Sequence, residues 1–210
     1  MKDINQAPPV IAMKGLLAVL VCVVMASCTT IPELQVRYTL PSPAAPLKGR
    51  SVVLAIDDQR ASPSVLGRGA KEEFKGFSGS ISLSIADSNK KESRIGIFRV
   101  PGLMKEVFKR RLENLGVRVL TKKAPGIPLL TIVLKEFSLD LVGREWLAKM
   151  SYEARLTGEK GGVATQFING QAERYKLIGR ESADALMGEI FTDMVNSLNL
   201  ARLFEQAGLS

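Results

Sequence analysis

The chain has 210 residues, 46% of them hydrophobic, with 29 Lys and Arg against 21 Asp and Glu, two cysteines and no histidine. The missing histidine excludes a Ser-His-Asp triad, a Cys-His pair and a histidine-rich zinc site within the chain. A net charge of +8 permits contact with acidic polymers or anionic lipid, although a solvated basic surface is its commoner meaning.

Residues 1–27 have the makings of an export signal. Lys14 supplies a positive start, Gly15 to Met25 an uncharged run of eleven residues, and Ala26 and Ser27 the small residues a peptidase needs. The apolar run is shorter than the ~20 residues that span a bilayer. Met13-Lys14-Gly15 is a more typical opening than Met1 to Ala12, so either methionine can be the initiator. The run Leu20-Val21-Cys22-Val23-Val24-Met25-Ala26-Ser27-Cys28 resembles a bacterial lipobox, with Met25 where Leu is more usual. That resemblance implies a diacylglyceryl group on the Cys28 sulfur and a third acyl chain, such as palmitate, on its amine. Two other readings are an ordinary cleaved signal followed by a chance cysteine, and an uncleaved anchor. Each buried CH₂ contributes roughly 0.8 kcal/mol, and stable anchoring needs two signals, which several chains on one residue provide. Thr29 stands where an Asp would mark retention at the inner membrane, so the resemblance implies the outer membrane, facing the periplasm.

Removal of residues 1–27 leaves 183 residues, enough for one domain, with a net charge of +7. Cys22 departs with the signal and Cys28 carries lipid, so the mature domain has no free thiol and no disulfide. No metal, cofactor or nucleic-acid partner is expected for such an exported chain.

Residues 28–50 read as the lipidated cysteine and a tether stiffened by Pro32, Pro41, Pro43 and Pro46. Fully extended it reaches about 70 Å. Val36, Tyr38 and Leu40 alternate within it and suit a short edge strand. Residues 51–210 form the expected single domain. Val52 to Ile56 is a buried strand, and the glycine-rich stretch 61–79 a mobile loop. Ile81, Leu83 and Ile85 alternate with serines, and Ile95 and Ile97 repeat the pattern, predicting a hairpin. Pro101 opens a helix whose apolar positions run from Leu103 to Leu115, and Gly116 ends it. Leu129 to Leu134 is a strand, after which the apolar positions change parity and predict a bulge around Lys135-Glu136. Ala148, Met150, Tyr152, Ala154 and Leu156 face a core, while Lys149, Ser151, Glu153, Arg155 and Thr157 face water. A turn at Gly158 to Gly162 leads into a strand from Val163 to Leu177, then a helix capped by Ser182 and interrupted near Asn199. The order predicts an α+β fold, a two-layer sandwich of about five to six mostly antiparallel strands with two helices on one face.

Thr39-Leu40-Pro41, Asp58-Gln59-Arg60, Met104 to Gly116, the meander and the Leu203-Phe204 ending together resemble the YajG-like family of bacterial lipoproteins. Residues 61–99 match that pattern poorly. The resemblance implies an envelope lipoprotein and no particular reaction. More distantly, the layout resembles the lipoprotein subunits that accompany lipid-transport machines of the envelope.

Several clusters are candidate sites. Asp57-Asp58-Gln59-Arg60 could bind a cation or act as an acid–base pair, against the plainer reading of a turn in which Asp58 pairs with Arg60. Gly67-Arg68-Gly69 superficially resembles a phosphate loop but lacks its Lys-Ser/Thr ending and a suitably spaced helix start. Lys105, Lys109 and Arg110, with Arg111, Arg118, Lys122 and Lys123, suit anionic headgroups or a solvated helix face. Trp146 suits either a partner or lipid contact or the end of the core, and Phe74 and Phe77 a membrane-touching tip or a folded-back loop.

Three functions compete. The first is a non-enzymatic envelope lipoprotein that binds or supports an envelope protein or anionic lipid. The second is an accessory lipoprotein subunit of an ABC-type lipid-transport complex, holding an acyl chain or adding a sheet edge to a partner. The third is a carboxylate enzyme acting on glycans, which needs two of Asp57, Asp58, Asp140 and Glu173 in one cleft.

Overall fold

The computed structural model describes residues 32–87, 91–122, 124–158 and 161–209. The expected export segment 1–27 and Cys28 lie outside the described residues. In chain order the elements are β1 (Leu34–Thr39), β2 (Ser51–Asp58), α1 (Arg68–Glu73), β3 (Ile81–Ala86), β4 (Glu92–Phe98), α2 (Val100–Asn114), β5 (Arg118–Leu120), β6 (Leu129–Val142), β7 (Glu145–Thr157), β8 (Val163–Tyr175), α3 (Glu181–Ser197) and α4 (Leu200–Gln206).

The α+β class and the antiparallel meander are as expected. The strands divide between a three-stranded sheet, β1-β3-β4, and a five-stranded sheet, β5-β2-β6-β7-β8. Strands β6, β7 and β8 pair antiparallel over nearly their whole length. β2 joins this sheet parallel to both β5 and β6, and β1 runs parallel to β3. The predicted parity change is real: register slips between Leu134 and Glu136, leaving Lys135 as the extra residue.

The even-numbered face of β7, from Trp146 to Leu156, is buried throughout. It meets the apolar stripe of α3 and the α2 side chains Leu103, Met104, Val107 and Phe108 in one continuous cluster. Edge-to-face aromatic pairs knit that core, with Phe137 and Tyr38 both set against Phe191, and Phe108 against Tyr152. Glu153, expected to face water, is buried because Arg155 folds back along the same face and pairs with it at 2.6 Å. α3 starts at Glu181 rather than at a Ser182 cap: the N–H groups of Ala183 and Asp184 reach the Arg180 carbonyl, and Ser182 Oγ is buried without a partner in the protein. Asn199 does interrupt the helical run, and its side chain accepts from the Arg202 N–H to cap α4.

The stretch expected to carry a mobile loop at 61–79 contains α1 instead. Ordered structure also starts well ahead of Ser51. β1 buries Leu34, Val36 and Tyr38, and the compact unit runs from Pro32 to Ser210. One edge of β1 pairs with β3, and the other is met by side chains of α3. The Gln35 N–H donates to Asp184 Oδ1 (2.9 Å), the Thr39 N–H to Thr192 Oγ1 (3.1 Å), and Asn196 Nδ2 to the Thr39 carbonyl (3.0 Å). Asn196 Oδ1 accepts from the Tyr38 hydroxyl at 2.8 Å. Burial pushes that hydroxyl's pKa far up, against the opposing pull of Arg111, so it stays a neutral donor.

Asn196→Ala should destabilise the fold by ~2 kcal/mol, because it strands a half-buried hydroxyl and a strand carbonyl at once. The urea midpoint should fall with an unchanged slope; an unaltered midpoint would show that these bonds contribute nothing. Asp184 gives a pH signature. Burial pushes its carboxyl up to about 6, with the Gln35 N–H and Arg180 opposing and Glu181 adding to the rise. The unfolded carboxyl titrates near pH 4, so between about pH 4 and 6 the folded chain holds a proton the unfolded chain has lost. Stability due to this group is therefore complete below pH 4 and declines as pH rises to 6. Asp184→Asn keeps an acceptor for Gln35, and should flatten that decline and stabilise the protein at pH 7 by up to ~1 kcal/mol after solvent screening. Denaturation across pH 4–8 measures both.

Candidate functional site

Three of the acidic candidates, Asp57, Asp58 and Asp140, each have their own partner. Asp58, at the end of β2, takes Nε and Nη2 of Arg60 on its two oxygens, both at 2.8 Å. This contact holds the Asp58 carboxyl below the usual range. The Arg60 side chain is only 6% exposed, and its Nη1 is buried without a protein partner. Asp57 instead accepts from Gln59 Nε2 at 2.6 Å, and Gln59 Oε1 in turn accepts from Lys135. The plainer reading, a turn in which Asp58 pairs with Arg60, is what the chain adopts.

Asp140 lies on β6, six residues beyond Leu134, the partner of Asp58, and so about 20 Å away along the strand. Its Oδ1 accepts from the N–H groups of Gly69 (3.0 Å), Ala70 (3.2 Å) and Leu141 (2.8 Å). A helix does begin at Arg68, contrary to expectation, yet the amides a phosphate would use are already taken by this carboxylate. A Cβ on Gly69 would sit 2.0 Å from the Leu141 carbonyl, so glycine is required for α1 to lie this close to β6. Glu173 is exposed on β8, opposite Leu147. Asp57 and Asp58 therefore lie apart from Asp140, while Asp140 and Glu173 both align with Leu147 and share a face two strands, about 10 Å, apart. The three amides on Asp140 leave Glu173 without a second free carboxylate beside it, which glycan chemistry by a carboxylate pair requires. Among the described residues no group of three or more His, Cys, Asp or Glu is assembled as a metal site.

Lys105, Lys109 and Arg110 of α2 lie on a solvated face, while Arg111 is half-buried with its Nε unpartnered in the protein. Lys105 and Lys109 are exposed, Arg110 pairs with Glu106 at 2.8 Å, and Lys109 lies 3.9 Å from Glu113. Such exposed pairs contribute little. Trp146 lies wholly in the core, edge-on to Phe74 at 6.1 Å, with its Nε1 unpartnered. Phe74 is buried beside it under the Arg180 guanidinium, and Phe77 is half-buried. Neither Trp146 nor Phe74 is available to a partner at the surface.

Surface grooves occur at loops. One of 430 Å³ is lined by Val65, Leu66, Phe74 and Phe77, with Lys71 and Arg99 at its rim. Another of 540 Å³ lies between residues 124–129 and Thr157-Gly158. Among the described residues no helix is long and apolar enough to cross a membrane, a statement that does not extend to strands. The exposed apolar side chains are the feature that sequence reading missed. The sequence pattern extends the last strand to Leu177, but β8 stops at Tyr175, where its neighbour β7 begins at Glu145, which leaves Leu177 and Ile178 in the loop.

No family model matches the chain, and no curated protein matches it. The YajG-like resemblance thus remains one of short motifs. The fold does match solved structures. Protein XCC0632 from Xanthomonas campestris, of family DUF330, aligns with a TM-score of 0.54 at 14% identity over 86% of this chain and 100% of that one. Rare lipoprotein B from Shewanella oneidensis aligns at 0.39 and 10% identity, over 75% of this chain and 98% of that one. Lipoprotein GNA1162 from Neisseria meningitidis also aligns at 0.39 and 10%, over 70% and 96%. At 14% identity the likeness to XCC0632 is one of fold alone.

Trp146 is the only tryptophan in the chain, so its fluorescence reads its surroundings directly. Emission should be blue-shifted and resistant to iodide, both free and in the presence of membranes. Quenching comparable to that of the unfolded chain would return Trp146 to the surface.

Proposed function

We propose that this chain is a lipid-anchored lipoprotein of the bacterial envelope, held at the outer membrane through acylated Cys28, facing the periplasm, with a non-enzymatic binding or structural role. The observation that carries the reading is the start of the fold. The compact unit opens at Pro32 and β1 is buried from Leu34, so the folded body begins just after the cysteine that ends the lipobox-like run. A mature chain starting at Cys28 keeps every residue of β1. The engagement of Asp57, Asp58 and Asp140 by neighbouring groups supports a body that binds rather than catalyses. Its partner would be an envelope protein or an anionic lipid, and the YajG-like motifs accord with the same address.

The second reading, an accessory subunit of an ABC-type lipid-transport complex, has one observation in its favour. β8 is the edge of the five-stranded sheet and runs for 13 residues without a proline. An exposed edge of that length can accept a strand from a partner subunit.

In cells fed a labelled fatty acid, the protein should take up label, and Cys28→Ser should abolish uptake and release the chain from the membrane fraction. An unlabelled wild-type protein would remove the anchor from this account. In-cell crosslinking from probes placed along β8 separates the readings, because a transporter subunit recovered there favours the second.

A further inference from the structure

We infer that the end of the domain bearing the β6–β7 turn and the β8–α3 loop is a membrane-docking tip that rests on the bilayer holding the Cys28 acyl chains. The inference rests on the proposed anchor and adds to it an orientation and a contact surface.

The tip is built from two adjacent segments. Glu145 pairs with Tyr175 at the end of the sheet, and the Lys176 N–H donates to the Arg144 carbonyl at 2.8 Å, so the turn and the loop travel together. Val142 is 61% exposed at the end of β6, and Leu177 and Ile178 are 68% and 101% exposed on the loop. Three large aliphatic side chains held out in water by an ordered backbone have no folding role to explain them. Arg144, Lys176 and Arg180 flank them, interspersed with Glu145 and Glu181. Apolar groups at the apex with cations behind them match the depth profile of a bilayer interface, where long basic side chains extend to the headgroups.

The start of the fold identifies the occupant. Lys176 pairs with Glu73, and Arg180 lies 5.1 Å over the Phe74 ring, so the loop leans on the segment following α1. A Cβ on Gly76, two residues further along, would lie 3.9 Å from Pro32. The next strand residues agree, since Gln35 is hydrogen-bonded to Asp184, on the first turn of α3. Pro32 thus enters the fold at the same end as Leu177 and Ile178. From Cys28 to Pro32 there are four peptide links, which reach at most about 14 Å. The earlier expectation of a 70 Å tether does not apply, because β1 takes residues 34–39 into the fold. A chain acylated at Cys28 therefore cannot hold this end far from the lipid, and the bilayer becomes the surface that covers the three aliphatic side chains.

Val163 is a matched control: it is 57% exposed and apolar, at the other end of β8, about 40 Å from the tip. The mature chain has no cysteine besides Cys28, so Val142→Cys, Ile178→Cys and Val163→Cys each accept one fluorophore. The full-length acylated proteins are reconstituted into vesicles of phosphatidylethanolamine and phosphatidylglycerol carrying a spin-labelled lipid quencher. Quenching at positions 142 and 178 should exceed that at 163 by about threefold or more, given the shallow depth of interfacial contacts. Equal quenching at all three sites, or none at the tip in these vesicles that hold no other protein, would overturn the inference and return the tip to some other partner. Mass spectrometry of the same preparations keeps the two proposals distinct. An unmodified Cys28 thiol removes the anchor itself, whereas acylated Cys28 with an unquenched tip removes only the docking surface.

Discussion

The fold depends on how the outer edge of β1 is satisfied. A strand edge exposes a row of backbone donors and acceptors that must find partners when they are not left to water. Here the partners are the Asp184, Thr192 and Asn196 side chains, spaced at helical intervals along α3 so that they meet successive groups of the strand. The approach is close enough that a Cβ on Gly188 would sit 3.0 Å from the Arg37 carbonyl. These bonds join residues 149 to 157 positions apart, so the first strand of the domain is completed only by its last long helix. A contact of such sequence separation carries a large loop-closure entropy, which its bonds must offset.

The same economy governs the other polar groups. Asp140 is an internal cap that ties the α1 segment to β6, and Gly69 supplies the clearance. Asp58 and Arg60 lock the exit from β2, and Lys135, the residue extruded by the bulge, reaches Gln59 next to that pair. The residues that looked most chemical in the sequence are thus the ones fastening loops to the sheet. A catalytic pair would need two such groups to face one another across a cleft, and the meander separates them along β2 and β6.

Periodicity made the regular parts legible. The alternation from Ala148 to Leu156 and the helical stripe of α3 appear where their spacing puts them, because burial on one face is a local property of the sequence. The parity change at Lys135 exposed the bulge for the same reason. What escaped was set by partners distant in the chain. Val36 and Tyr38 alternate visibly, but nothing near them tells that β3 lies on one side and α3 on the other, or that this places the prolines beside them in the fold rather than in a tether. The glycines of residues 61–79 suggested mobility, whereas Gly69 serves close packing against a strand some seventy residues later. Trp146 gave two readings of equal weight because a tryptophan suits both a core and an interface, and only its neighbour Phe74 decides. Leu177 looked like a strand residue because its composition fits one, while the end of β8 is fixed by where β7 begins.

Strand placement and membrane attachment have a joint consequence for any partner. On the proposed anchor, three residues separate Cys28 from Pro32, so the body is confined to the bilayer surface instead of sampling the wider periplasm. Confinement raises the effective concentration of whatever shares that surface, in the way a short linker does for a second binding site. It also fixes which surfaces stay accessible. β8 starts at Val163, at the end away from the tip, and runs back toward it, so with the proposed docking its open edge would rise from the membrane along the side of the domain. An edge of 13 residues left free in solution would invite pairing between copies. In a chain held by one end, copies on the same leaflet present their edges in the same sense, which disfavours the antiparallel pairing that the rest of this meander uses. An upright orientation therefore limits unwanted self-association while leaving the edge open to a strand that approaches from a neighbouring envelope protein.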